Sequence, residues 1–415
     1  MLVNYTLANY KSFKDPQSLS FVASIGDEFP KHTVTLENGL RINKIAAIIG
    51  GNGTGKTQLI DSLQQVSDAI INNKINELHH PYAFSAENRV NPSDFELIII
   101  DSKKENFLRY GFSVFKGVIT KEYLFVRPVK KGARESCIFE REGQELNFKK
   151  NEYKKHEYLI KPILKESGAV ITFAKSLEII ELTEVFRWSY RQIAYQPEYN
   201  KEFGLKFIEG RLNDKLSSEK EDEKIVGENY VSSFMGEYNN YVKQFPLHID
   251  SVEFLPTSDD GKYRFVYKID NLDGGCTVVS PEKRSEFFSQ GTLNVLAFLG
   301  VLLWAHKTGF SLYIDEIDSS IHYSLANSLI AMVINKVCQD ESDNHQFIFS
   351  THNIPLLDEC IRRDELNIFV KDETKSTKII NASEYSVRKD SKISLKYFRG
   401  EFGVVPSFME RNNEA

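Results

Sequence analysis

Gly50-Gly51-Asn52-Gly53-Thr54-Gly55-Lys56-Thr57 follows the apolar run Ile45-Ala46-Ala47-Ile48-Ile49 and leads into Gln58-Leu59-Ile60-Asp61-Ser62-Leu63. The order predicts a buried strand, a glycine-rich turn and an amphipathic helix. Backbone N–H groups of such a turn point inward, and the following helix N-terminus favours anions, so the peptide is expected to be a phosphate cradle. Gly50, Asn52, Gly53, Thr54, Gly55, Lys56, Thr57 and Gln58 are its expected contact set. Lys56 would reach the outer phosphates of a bound nucleotide, and the Thr57 hydroxyl would ligate Mg²⁺.

A second apolar run, Leu312-Tyr313-Ile314, ends in Asp315 and Glu316. Paired acids after a buried strand divide their work, because a carboxylate committed to a metal cannot also polarise a water. Asp315 is expected to hold Mg²⁺ through water, and Glu316 to orient the attacking water as general base. Between the cradle and these acids lies Phe288-Ser289-Gln290-Gly291-Thr292, followed by the helix-like apolar residues 293–305. Serine and glycine at a helix start form an anion receptor. Beyond the acids, Gln346-Phe347-Ile348-Phe349-Ser350-Thr351-His352 reads as a strand ending in a histidine. These motifs together point to nucleotide hydrolysis.

With the four motifs in this order, the chain resembles the ABC-like AAA family ATPases. These are related to the heads of the chromosome-maintenance and recombination ATPases, and the likeness is greatest to short bacterial members from phage-defence systems. Further residues carry the resemblance. Asn9-Tyr10-Lys11-Ser12-Phe13-Lys14 is similar to the family's opening strand and turn, and Arg109-Tyr110-Gly111-Phe112 with Glu122-Tyr123-Leu124 to its first-lobe hairpins. Tyr397-Phe398-Arg399-Gly400-Glu401-Phe402-Gly403 with Pro406 is similar to its closing segment.

The resemblance implies an α/β fold, a two-lobed ABC-type head with mixed β-sheets and a helical insertion. It implies that ATP is sandwiched between two copies of the chain, in a dimer or a higher homo-oligomer, with Ser289 and Gly291 of one closing on the γ-phosphate held by the other. His352 would bond the γ-phosphate and the attacking water. Ile317-Asp318-Ser319-Ser320-Ile321-His322 would meet its counterpart across the dimer. The signature here is Phe-Ser-Gln-Gly-Thr where transporters carry Leu-Ser-Gly-Gly-Gln, which keeps the serine and the second glycine. Gln196 and Gln64 both fit the family's Q-loop poorly, so no residue is assigned to it.

Three regions are expected: 1–150, the first half of the head with the cradle; 151–247, a helical insertion; and 248–415, the second half with signature, paired acids and switch histidine. Leu177, Ile180, Leu182 and Val185 recur at spacings of three or so, which reads as helical. The insertion shows no sustained heptads, unlike the long coiled coils of the chromosome-scale relatives. Residues 214–224 are almost wholly charged or serine and read as a solvated face.

The 415 residues, 41% of them hydrophobic, can bury a large core. Residues 293–305 are too short to cross a bilayer, and the N-terminus lacks a leader pattern. A cytoplasmic protein with no membrane partner is therefore expected. Cys137, Cys276, Cys338 and Cys360 form no CxxC or Cys–His cluster, which argues against a zinc site or a disulfide framework. The net charge of −6 argues against a basic nucleic-acid coat. Two basic stretches, 127–134 and 149–155, are the sole support for a nucleic-acid partner.

After His352, the acids Asp358-Glu359, Asp364-Glu365 and Asp372-Glu373 do not form the Glu and Asp-x-Asp arrangement of a two-metal nuclease. The chain is thus expected to cut nothing itself. The resemblance implies an ATP-binding and hydrolysing sensor subunit of an antiphage complex, similar to the ATPase subunits of PARIS-like and Septu-like systems. It would control a separate effector, a nuclease, in response to a phage-encoded trigger. A DNA repair or recombination ATPase is the alternative. A transporter subunit is disfavoured by the first-lobe hairpins and the insertion.

Overall fold

The computed structural model describes residues 1–26, 28–196, 203–217, 220–257, 260–339, 344–358, 360–385 and 392–402. Gly403 and Pro406 of the expected closing segment lie outside the described residues. The chain divides into two compact units: Met1–Ala194 with Tyr313–Asp315 and Ile334–Ala415, and Tyr195–Leu312 with Glu316–Val333.

Two larger sheets are built mostly from residues of the first unit. One has seven strands in the order Glu145–Phe148, Ser136–Glu142, Val118–Pro128, Asn106–Phe115, Ser93–Ile100, Leu2–Ala8, Gln17–Ser20. Every neighbouring pair is antiparallel. The expected hairpin is present, with Gly111 opposite Tyr123. The other sheet has six strands in the order Gln192–Tyr195, Ser311–Ile314, Phe347–Ser350, Ile45–Gly50, Leu366–Lys371, Thr377–Asn381. Ile45–Gly50 runs parallel to both its neighbours, and Leu366–Lys371 turns back antiparallel onto Thr377–Asn381. Mixed and antiparallel sheets with helices make the fold α/β, as expected.

Strand Ile45–Gly50 is buried at all six positions, the signature of a parallel strand covered on both faces. Helix Lys56–Asn72 follows it and buries Leu59, Ile60, Leu63, Val66 and Ile70 on one stripe. It ends at Asn73 in the left-handed region, whose N–H closes on Ala69 O.

The segment 151–247, expected as one helical insertion, is divided between the units. Its first part, up to residue 194, packs into the core of the first unit through Ile160, Leu164, Val170, Ile171, Leu182, Val185 and Trp188. A buried polar anchor explains why. Glu122, fully buried, accepts from Val170 N at 2.8 Å, Ile171 N at 3.1 Å and Tyr110 OH at 2.9 Å. Arg141 reaches the same carboxylate at 3.5 Å and donates to Gly143 O at 2.7 Å, Lys165 O at 3.0 Å and Gly168 O. Burial pushes the Glu122 carboxyl above the usual carboxylate range, while the two amides and Arg141 pull it back.

The second unit combines helices Phe203–Leu216 and Glu221–Val242, a three-stranded antiparallel sheet and helix Gln290–Thr308. The sheet strands are Ser251–Pro256, Tyr263–Asp270 and Cys276–Val279. Residues 293–305 of helix Gln290–Thr308 are all buried, so the apolar run is an interior helix. Tyr238 OH bonds Leu296 O at 2.9 Å, and Arg284 pairs with Glu209 in the same core. Among the described residues no helix is long and apolar enough to cross a membrane.

Replacing Arg141 by Met should strand the Glu122 charge in the core and cost about 3 kcal/mol. Urea unfolding of wild type and variant would measure it; the Glu122→Gln, Arg141→Met double variant should lose less than the two single losses added.

Candidate active site

The first unit gathers the cradle at the C-terminal edge of the six-stranded sheet. Gly55 caps helix Lys56–Asn72 with φ 102, a conformation that L side chains rarely adopt. A Cβ at Gly55 would also lie 2.6 Å from Thr377 Oγ1 and 2.7 Å from Ser12 Oγ. Thr54 Oγ1 donates to Gly51 O at 2.8 Å, which tightens the loop on itself. Lys56 is 5% exposed, and its Nζ donates to Gly50 O at 3.0 Å and Gly51 O at 3.2 Å. Its ammonium therefore curls over the loop toward the point where the strand ends. Gln58 Oε1 accepts from Ser12 N at 3.0 Å, so this expected contact residue also braces the opening turn.

Parallel register brings the switch strand alongside. Ser350 pairs with Ile48 and Thr351 N donates to Ile48 O at 3.1 Å, which delivers His352 beside the start of the loop. His352 is exposed. Gly50, Asn52, Thr54 and His352 line one cavity of about 680 Å³ together with Phe369 and Lys371. Lys56, Thr57 and Asp315 do not line it.

Asp315 follows strand Ser311–Ile314, next to Phe347–Ser350 in the sheet, and is 6% exposed. Ser350 Oγ donates to Asp315 Oδ1 at 2.6 Å. Ser350 is fully buried, so its hydroxyl orients the carboxylate from a strand that cannot shift independently. In the sequence Ser350 is legible only as a strand residue. The available signal was a hydroxyl closing the otherwise apolar stretch Phe347-Ile348-Phe349. The oxygen donors Thr57 and Asp315 suit Mg²⁺, which takes few protein ligands and hard oxygens.

The remaining expected residues belong to the second unit. Ser289 caps helix Gln290–Thr308 and its side chain accepts from Thr292 N at 3.1 Å. A Cβ on Gly291 would lie 2.6 Å from Ser320 O, so only glycine lets the loop at 317–322 approach the signature. Ser320 and Glu316 both have positive φ, 58 and 52. A non-glycine residue held there is strained, and such strain gathers at functional positions. Asp315 and Glu316 are adjacent in the chain yet fall on either side of the unit boundary.

A family model described as "AAA domain, putative AbiEii toxin, Type IV TA system" matches residues 45–359, which span cradle, signature, paired acids and switch strand. The chain belongs to this family. It is an ATP hydrolase. No curated protein matches the sequence. Among solved structures, an SMC head bound to the C-winged helix domain of ScpA is similar at 15% identity and TM-score 0.46, over 91% of this chain and 96% of that one. The SMC head domain from Thermotoga maritima is similar at 14% identity and TM-score 0.38, over 92% and 98%. CbiO1 from Clostridium perfringens, part of an ABC transporter complex, is similar at 13% identity and TM-score 0.30, over 85% and 88%.

In this AAA-family ATPase, Ser350→Ala should leave Asp315 without its orienting donor. The Mg²⁺ concentration giving half-maximal ATP hydrolysis should rise by about tenfold, with little change in melting temperature. Titrating activity with Mg²⁺ at fixed ATP checks this.

Proposed function

We propose that the chain is the ATP-driven regulatory subunit of an antiphage complex, acting as a dimer that sandwiches ATP and controls a separate toxic effector. One observation carries the ATPase part of the reading. The loop with Lys56, the Ser350–Asp315 pair and His352 lie at the ends of three neighbouring strands of one sheet. The family's description as a putative toxin of a toxin–antitoxin system supports the defence setting. In this reading residues 50–58 hold ATP, and Thr57 and Asp315 hold Mg²⁺. The metal's contribution is to neutralise phosphate charge.

Lys56 stabilises charge on the outer phosphates, Glu316 takes the proton of the attacking water, and His352 positions that water against the γ-phosphate. Ser289 and Gly291 are supplied by the partner copy, whose helix N-terminus adds positive dipole. Holding half of each site on a second molecule makes ATP occupancy report assembly, which is what a sensor subunit needs. The trigger would be a phage product, and the effector a nuclease carried on another chain.

A nucleic-acid-stimulated repair role is the second reading, and one of its two basic stretches, 149–155, is partly neutralised. Lys150 pairs with Glu181 at 2.6 Å and Lys149 with Glu140 at 3.5 Å. Part of that charge is therefore spent within the chain. A duplex DNA titration should show weak affinity that collapses between low and physiological salt, the mark of nonspecific phosphate contact. Tight binding at physiological salt would favour the repair role.

Lys56→Ala and Ser289→Arg should each lower ATP hydrolysis by on the order of a hundredfold or more. Mixing the two inactive variants should restore a measurable fraction, because one composite site in each mixed dimer keeps both intact halves. No restoration at any ratio would refute the sandwich. Glu316→Gln should keep ATP bound while turnover stops. In cells carrying the native locus, that variant should change plaque counts relative to wild type if occupancy is the signal.

A further inference from the structure

The peptide joining Thr54 to Gly55 is gripped from outside the loop. Thr377 Oγ1 donates to Thr54 O at 2.8 Å. A hydroxyl has one proton and a carbonyl can only accept, so that proton is committed. Thr377 Oγ1 is then the acceptor in its two other contacts, from Lys371 Nζ at 2.9 Å and from Ser12 Oγ at 2.7 Å. Thr377 is fully buried and Ser12 nearly so.

The arrangement follows from strand register. Phe369 pairs with Gly50 across the parallel strands, so Lys371 falls just past the start of the loop. The antiparallel return sets Thr377 directly opposite Lys371, which puts both side chains on one face. Thr377 N also donates to Ser12 O at 2.8 Å, and Lys14 N to Ser376 Oγ at 3.0 Å. Opening turn, phosphate loop and late hairpin are thereby stitched at one point. The absence of a Cβ at Gly55 is what lets the two hydroxyls come so close.

A charged donor polarises the hydroxyl it binds, and hydrogen bonds in series strengthen one another. The Thr54–Gly55 peptide is trans and planar. Its N–H therefore points opposite to its carbonyl, away from Thr377. Pulling electron density toward the carbonyl makes that N–H a better donor on the other side.

We infer that Lys371 and Thr377 are positioning residues of the phosphate loop, forming a relay that fixes the Thr54–Gly55 peptide and strengthens its amide N–H as a donor to nucleotide phosphate. The inference rests on the reading of residues 50–57 as the ATP cradle. Burial holds the Lys371 ammonium below the ordinary lysine range, with Asp372 opposing, which makes it a stronger hydrogen-bond donor while charged.

The test measures ATP affinity and turnover on the full chain. Thr377→Val, which removes the hydroxyl at nearly constant volume, should raise the Kd for ATP by about tenfold, and Thr377→Ser should return it to within about twofold of wild type. Lys371→Met should raise Kd by about fivefold through loss of the charged donor. In all three, kcat at saturating ATP should stay within about threefold, since the relay acts on binding. A wild-type chain that binds no ATP would sink the cradle reading itself. A wild-type chain that binds ATP, with Thr377→Val binding it equally well or Thr377→Ser no better than Thr377→Val, would overturn the relay. So would a loss confined to kcat. If Thr377→Val does not fold, Lys371→Met decides: unchanged affinity there overturns the inference.

Discussion

Parallel pairing on both edges of the buried strand Ile45–Gly50 is the constraint on which the first unit's site depends. One neighbour is held in the register Ser350 to Ile48, the other in the register Phe369 to Gly50. Parallel neighbours end at the same edge of a sheet, so the loop after Gly50, the hydroxyl of Ser350, His352 and Lys371 all arrive together. No side-chain contact is needed to assemble them. A slip of one residue in either strand would turn Ser350 away from Asp315 and Lys371 away from Thr377, because strand side chains alternate faces. Backbone hydrogen bonding thus sets the site's geometry, and side chains refine it.

The refinement is made by polar groups brought far from water. Ser350 on Asp315, Thr377 on Thr54 and Ser12 N on Gln58 are single hydrogen bonds at points where a small rotation would misplace a functional group. Elsewhere in the unit the same device holds long-range connections. Glu122 and Arg141 clamp the 165–171 segment to the antiparallel sheet. His32 meets Glu365 at 3.1 Å, and Arg362 forks onto Asp364, whose carboxylate also accepts from Ser24 N at 2.6 Å. Buried charges of this kind add little net stability when satisfied, but each is costly to leave alone. They therefore penalise wrong chain pairings more than they reward the right one.

The second unit is organised around helix Gln290–Thr308, buried on every side from Leu293 through Ala305. A helix buried all round has its axis set by packing, and so its N-terminus is aimed by the core instead of by the signature residues themselves. Ser289 and Gly291 then serve locally, one as cap and the other as the gap through which Ser320 O approaches. The left-handed backbone at Glu316 begins the loop that makes this approach.

The strand, glycine loop and helix from 45 to 72, the acids at 315 and 316, the capped signature helix and the strand before His352 were all legible in the sequence. Each is written in a contiguous stretch, where apolar period, glycine and capping residues act over a few positions. The Arg109–Phe112 and Glu122–Leu124 hairpin was legible for the same reason. Tertiary structure alone decided that Ser350 serves Asp315, that Thr377 reaches Thr54 and Lys371 reaches Thr377, and that residues 151–194 join the first unit's core. Those relations link positions far apart in the chain, Thr377 to Thr54 across 323 residues. A serine, threonine or lysine on a strand carries no local mark of its distant partner. Pairing register supplies the partner, and register exists only once the sheet has formed.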